Sequence, residues 1–163
     1  MTYTPKRDNR PALLLSMLLI FFSLTFFFVS GILEGYISRL FSLMGLVFFL
    51  ASFILITRFL IYSYTYSTDG EEFEVIQKSN KVYKKVCLLY CTEITEVITK
   101  KEAKSKLQGV KRYDYRVSLF PQNTYCVFFE ENGEKGVIFL ECSHEFANYL
   151  KLYTQKAPFA ELL

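Results

Sequence analysis

The chain has 163 residues, 52% of them hydrophobic and 18% aromatic, with 19 Lys/Arg against 16 Asp/Glu and a net charge of +3. The averages conceal a split: ten of the 17 Phe fall between Phe21 and Phe59, whereas residues 64–163 carry 14 basic and 14 acidic side chains. The surplus comes from Lys6, Arg7, Arg10, Arg39 and Arg58 against Asp8 and Glu34, all flanking apolar runs, so it is a topology signal and excludes a nucleic-acid reading.

Residues 1–11 read as a basic cytoplasmic tail. From Ala12 to Leu33 there are 22 residues without a charge, and from Leu40 to Thr57 another 18. At the helical rise these reach roughly 33 and 27 Å, against a hydrocarbon core of about 30 Å. The pattern predicts a transmembrane hairpin: helix 12–33, external loop 34–39 and helix 40–63. A cleaved signal peptide has an apolar core of about 7–15 residues. This run is longer and Val29-Ser30-Gly31 is a weak cleavage site, so the first helix is expected to be retained. Lys6, Arg7 and Arg10 precede the first helix and Arg58 ends the second, which places both termini in the cytoplasm of a twice-spanned cell membrane; Arg39 counts against it. Arg58 would either snorkel or make a polar contact inside a larger assembly, and Tyr62, Tyr64 and Tyr66 suit the headgroup level.

Small residues recur every seven positions: Ser16, Ser23 and Ser30 in the first helix, Ser38, Gly45 and Ser52 in the second. In antiparallel register they match as 30 with 38, 23 with 45 and 16 with 52, each pair summing to 68. Small residues let helix backbones approach where lipid supplies no hydrophobic drive, so these six are a candidate packing seam, set against chance recurrence of Ser.

After Ser63 the pattern changes to short strands with period two. Asp69-Gly70 reads as a turn, Phe73–Ile76 as a strand, Ser79-Asn80 as a turn, and Lys81–Tyr90 and Ile94–Thr99 as strands. Residues 100–109 break the pattern, and Tyr113 to Leu119 alternate as another strand. Tyr125–Glu130 and Gly136–Glu141 read as a hairpin about Asn132-Gly133. An amphipathic helix follows, with Ser143 as N-cap and a stripe of Phe146, Tyr149, Leu150 and Tyr153; Pro158 stops it.

Six or seven antiparallel strands followed by one C-terminal helix resemble the pleckstrin-homology-like (PH-like) domains of bacterial membrane proteins. The resemblance covers about residues 60–155, and its clearest stretch runs from Thr65-Tyr66-Ser67-Thr68-Asp69-Gly70 to Ile94-Thr95-Glu96-Val97. It implies an α+β chain, in which the hairpin is followed by a PH-like, partly open antiparallel barrel (64–155) closed at one end by Phe146, Leu150 and Tyr153, with a tail at 156–163. In eukaryotic relatives of the fold, basic residues of the first hairpin bind phosphoinositides; Lys78, Lys81, Lys84 and Lys85 lie near that hairpin without reproducing the pattern. The resemblance implies a fold and a membrane setting, not a substrate.

The segment Lys100–Arg112 is the most unusual soluble feature: Lys100, Lys101, Lys104, Lys106, Lys111 and Arg112 oppose only Glu102. Near an anionic leaflet each such cation contributes about 1 kcal/mol, so this is a candidate contact for membrane surface or partner; the competing reading is a solvated loop. Cys87, Cys91, Cys126 and Cys142 lack zinc-knuckle spacing and, reduced in the cytoplasm, are expected in the core, with Cys87 and Cys91 on one face of a strand. His144 has no nucleophile in a recognisable order, the acidic residues look like solubility charges, and neither apolar run holds a charge. No catalytic, metal or cofactor site is expected, and no enzymatic activity. Two function classes follow. One is a membrane-anchored module that binds a protein partner or an anionic lipid surface. The other is a small accessory or regulatory subunit of a transport or secretion complex, acting through its helices.

Overall fold

The computed structural model describes residues 1–131 and 133–156. The chain divides into two compact units: Asp8–Tyr62, and Met1–Arg7 together with the chain from Ser63 onward.

The first unit is a helix pair. Helix α1 spans Arg10–Ile32, with Pro11 in its first turn, where its missing N–H costs nothing. Helix α2 spans Gly35–Leu55 and continues as a π-helical turn, Ile56–Ile61. The loop expected at 34–39 is shorter. Only Leu33 and Glu34 connect the helices, and Gly35 turns the chain at φ +71°. Arg39 ended the apolar run in sequence, but a charge does not end a helix, and this residue lies inside α2.

Ser16, Ser23, Ser30, Gly45 and Ser52 are buried between the helices. Ser23 Oγ donates to Gly45 O at 2.9 Å, and Ser52 Oγ to Ser16 O at 3.2 Å. Ser38 Oγ donates to Ser30 O at 2.8 Å, while Ser30 Oγ lies 3.0 Å from Ser38 O and 2.6 Å from Ser42 Oγ. A β-carbon at Gly45 would stand 3.2 Å from Ser23 O and 3.3 Å from the Phe27 ring, a tight fit that favours a small residue there. Beside the seam, Phe26 stacks on Phe48 with ring centroids 5.4 Å apart. Cross-linking of Ser23→Cys with Gly45→Cys should therefore be efficient, and that of Phe21→Cys with Val47→Cys, whose parent side chains are exposed, should not; the reverse outcome would refute this seam.

Among the described residues the second unit contains eight strands in two four-stranded sheets. The first sheet orders β1 (Thr2–Tyr3), β2 (Tyr62–Thr68), β3 (Glu72–Ser79) and β4 (Val82–Tyr90) side by side. The second comprises β5 (Ile94–Thr99), β6 (Lys111–Asp114), β7 (Tyr125–Glu131) and β8 (Glu134–Leu140), in spatial order β5-β7-β8-β6. Helix α3, His144–Lys156, follows. The α+β class and element order agree with the sequence reading, but the strands form two sheets and not a closed barrel. The β6–β8 pair is also parallel, against the expected antiparallel order. Residues 157–163, including Pro158 and most of the expected tail, lie outside the described residues, as does Asn132 of the β7–β8 turn.

The inner faces of both sheets and α3 share one core. Tyr66, Phe73, Val75, Val127, Ile138, Leu140, Phe146 and Leu150 are almost wholly buried there. Ser143 Oγ accepts from Phe146 N at 3.2 Å, an N-cap that starts α3. Phe146 and Leu150 sit fully in the core and Tyr153 packs on its edge. Tyr64 and Tyr66 are core residues as well. This corrects their expected headgroup position, because β2 begins at Tyr62 and turns these side chains inward. Tyr66 Oη donates to Tyr115 O at 2.8 Å, and burial pushes its pKa far up.

Residues 2–3 are not a free tail. Thr2 pairs with Ser67 and Tyr3 with Tyr66, so the chain before α1 and the chain after the π turn lie side by side in one sheet. The Tyr3 ring lies 5.6 Å from Phe146 and 6.4 Å from Tyr66. Tyr3→Ala should lower the stability of this unit by about 1–3 kcal/mol, read as a lower midpoint in thermal or urea unfolding; an unchanged midpoint would show that β1 contributes nothing.

Candidate functional site

The outer face of the β5–β8 sheet carries a second apolar cluster: Cys126, Phe128, Val137 and Phe139. A sheet face of this kind must be covered. Here the cover is the lysine-rich segment itself. Glu102–Lys106 forms a 3₁₀ turn that buries Ala103 completely, and Leu107 and Val110 pack beside it. Glu102 ties the turn to β5, accepting from Thr99 N at 2.9 Å and Thr99 Oγ1 at 2.8 Å, and these bonds hold its carboxyl below the usual range. Three apolar side chains thus hold the segment on the sheet, while most of its other side chains, Lys101, Lys104 and Lys106 among them, are exposed.

The six basic residues divide into two groups. Lys106 is paired with Glu96 at 2.7 Å, Lys111 reaches Glu134 at 3.6 Å, and Arg112 donates to Leu107 O at 2.9 Å. Lys100, Lys101 and Lys104 have no ion pair among the described residues, and they line one cleft of about 530 Å³. The opposite wall is the connection between β6 and β7, with Arg116, Leu119, Phe120 and Pro121, and Tyr125 opens β7 beside it. Among the described residues no carboxylate lines this cleft. Arg116 is engaged by Asp114, at 2.8 Å and 2.5 Å to the two carboxylate oxygens, and stacks on Phe139. Tyr125 Oη meets His144 Nδ1 at 2.9 Å.

The wall containing Phe120 is held from below. Glu141 accepts from Val117 N at 3.1 Å, Ser118 N at 2.8 Å and Ser118 Oγ at 2.8 Å, and its own N–H reaches Tyr66 Oη at 3.3 Å. At the other end Lys100 N donates to Thr124 O at 3.0 Å. Tyr113–Leu119 was expected as one strand. It is strand only to Asp114, because the chain must then cross the end of β8 to reach β7. Arg116, Phe120, Tyr125 and Glu141 were not identified from sequence as site residues. The signal that was available is Ala103, Leu107 and Val110 at helical spacing within a charged run.

Cys91 and Cys142 lie in the main core with Cys87 at its margin, and Cys126 lies in the outer cluster. Cys87 and Cys91 both face this main core, as expected, although β4 ends at Tyr90 and Cys91 lies just beyond the strand. Burial pushes the Cys126 thiol up to about 11 and that of Cys142 to about 12, so both are neutral thiols at physiological pH. Among the described residues no group of three or more His, Cys, Asp or Glu could hold a metal. Lys85 pairs with Glu74, and Lys78 lies 5.3 Å over the Tyr83 ring, so two of the first hairpin's four lysines face local partners.

A family model described as Bacterial PH-like domain (DUF6106) matches residues 4–159. The chain belongs to this family. The match takes in the helix pair as well as both sheets and α3, so this PH-like protein has its hairpin within the family pattern. No curated protein and no solved structure matches the chain significantly. Membership of the PH-like family points to an interaction module.

Glu141 should control the cleft wall. Glu141→Ala leaves three donors without an acceptor, a loss of about 1–3 kcal/mol, and hydrogen exchange should quicken across residues 116–124. Glu141→Gln, which keeps an acceptor oxygen, should be milder. Equal exchange in wild type and Glu141→Ala would remove this residue from its positioning role.

Proposed function

We propose that this chain is a non-enzymatic, membrane-anchored interaction module. In this reading α1 and α2 cross the cell membrane as a hairpin with both termini in the cytoplasm, and the PH-like unit presents its basic cleft to a protein partner or an anionic lipid surface. The observation that carries the reading is the inverted pattern of the helix pair. Its small polar residues are buried at the seam, while Leu14, Phe21, Phe28, Phe53 and Ile54 point outward, Phe28 with 72% of its surface exposed. Only 17% of the most apolar stretch of the first helix and 11% of the second is buried. A core helix of a water-soluble protein is mostly buried, and one on its surface is polar outside, so lipid is the solvent that suits these faces. The pairing of β1 with β2 supports a hairpin whose two ends lie on one side of the bilayer. The three lysines without ion pairs support recognition of an anionic surface.

Two measurements test this reading. The full chain should remain in the membrane pellet after an alkaline carbonate wash. A Glu34→Cys variant should be labelled from outside intact cells by a membrane-impermeant maleimide, without prior permeabilisation. Release into the supernatant would overturn the anchor, and labelling only after permeabilisation would overturn the orientation.

A further inference from the structure

We infer that the cleft between residues 99–104 and 119–125 binds the phosphate-bearing headgroup of an anionic phospholipid, with Phe120 as its apolar contact. This rests on the membrane-anchored reading above and names the ligand class of that site.

Four observations converge on it. First, among the described residues Lys100, Lys101 and Lys104 line the cleft without an ion pair, and no carboxylate lines it to neutralise them. The neighbouring cations Arg116, Lys106 and Lys111 are paired with Asp114, Glu96 and Glu134. Lysine ammonium groups act as mobile point charges, and in that form they serve as phosphate ligands. Second, both walls are held before any ligand arrives. Ala103 is wholly buried under one, and Glu141 accepts three hydrogen bonds from the other. Third, Phe120 is the most exposed large apolar side chain of this unit among the described residues, at 74%, and Leu119 and Pro121 lie beside it in the cleft lining. A free phosphate has nothing to offer such a side chain, whereas a phospholipid carries glycerol and acyl carbons next to its phosphate. Fourth, β2 begins at Tyr62, directly after the π turn ends at Ile61. A unit joined to its anchor without a linker meets headgroups at high effective concentration.

The test is hydrogen–deuterium exchange on the full chain in nanodiscs, either of phosphatidylcholine alone or of phosphatidylcholine mixed with phosphatidylglycerol. Segments 99–104 and 119–125 should exchange several-fold more slowly with phosphatidylglycerol present. Each of Lys100→Gln, Lys101→Gln and Lys104→Gln should weaken the phosphatidylglycerol dependence about fivefold. Lys→Arg at the same positions should preserve it, which separates lost charge from lost fold, and Lys106→Gln should leave it unchanged. Phe120→Ser should also reduce it. Equal exchange in both nanodiscs, or protection that survives the triple Lys→Gln change, would overturn the inference. Equal protection by inorganic phosphate in phosphatidylcholine nanodiscs would overturn the lipid source and assign the cleft to a free anion. Stronger protection by an oligoglutamate peptide would overturn it in favour of an acidic protein segment. A chain that fails to co-elute with nanodiscs would refute the anchor itself, and this inference with it; a chain that co-elutes without protection would refute the inference alone.

Discussion

The β5–β8 sheet is apolar on both faces, and the β-sheet unit is organised around the need to cover it. Its inner face is closed by the β1–β4 sheet and α3, which together bury Phe73, Val75, Phe146 and Leu150 against Val127, Ile138 and Leu140. Its outer face is closed by the turn around Ala103 with Leu107 and Val110. The central strands β7 and β8 are consequently buried on both sides over most of their length. Apolar burial of this kind, at about 25 cal/mol per Å², fixes a segment that its charges alone would leave in solvent.

The basic cleft follows from that covering. The chain leaves β6 at one edge of the sheet, beside β8, and must pass β8 to enter β7. The connection runs close to the turn that carries Lys100, Lys101 and Lys104, and Glu141, just beyond β8, ties it down through backbone N–H groups. A carboxylate that accepts several N–H bonds acts here as a structural fastener, and it is spent before it could neutralise a lysine.

The helix pair is held by a different kind of contact. Between these two apolar helices the close approach comes from small side chains and hydroxyls. The Ser23–Gly45 and Ser16–Ser52 bonds link side chain to backbone of the facing helix, which is possible only where no larger side chain separates them. Pairing of β1 with β2 then joins the strand that leads into the pair to the strand that leads out of it.

Sequence alone determined what depends on periodicity and local chemistry. The two apolar runs, the seven-residue recurrence of Ser and Gly, the Ser143 cap and the β7–β8 hairpin are legible because each is specified within a few residues, and the PH-like resemblance followed from element order. Other features needed tertiary contacts. Thr2 and Tyr3 become a strand only because Ser67 and Tyr66 stand opposite. Tyr64 and Tyr66 are core residues only because β2 turns them toward Tyr115 and Phe146. Six cations in one segment look equivalent in sequence, yet Glu96, Glu134 and Leu107 O occupy three of them and leave Lys100, Lys101 and Lys104 at a cleft whose other wall lies about twenty residues further along the chain. Charge is a property of the residue and can be read from the sequence; which charges remain uncompensated depends on what the fold brings within a few ångströms.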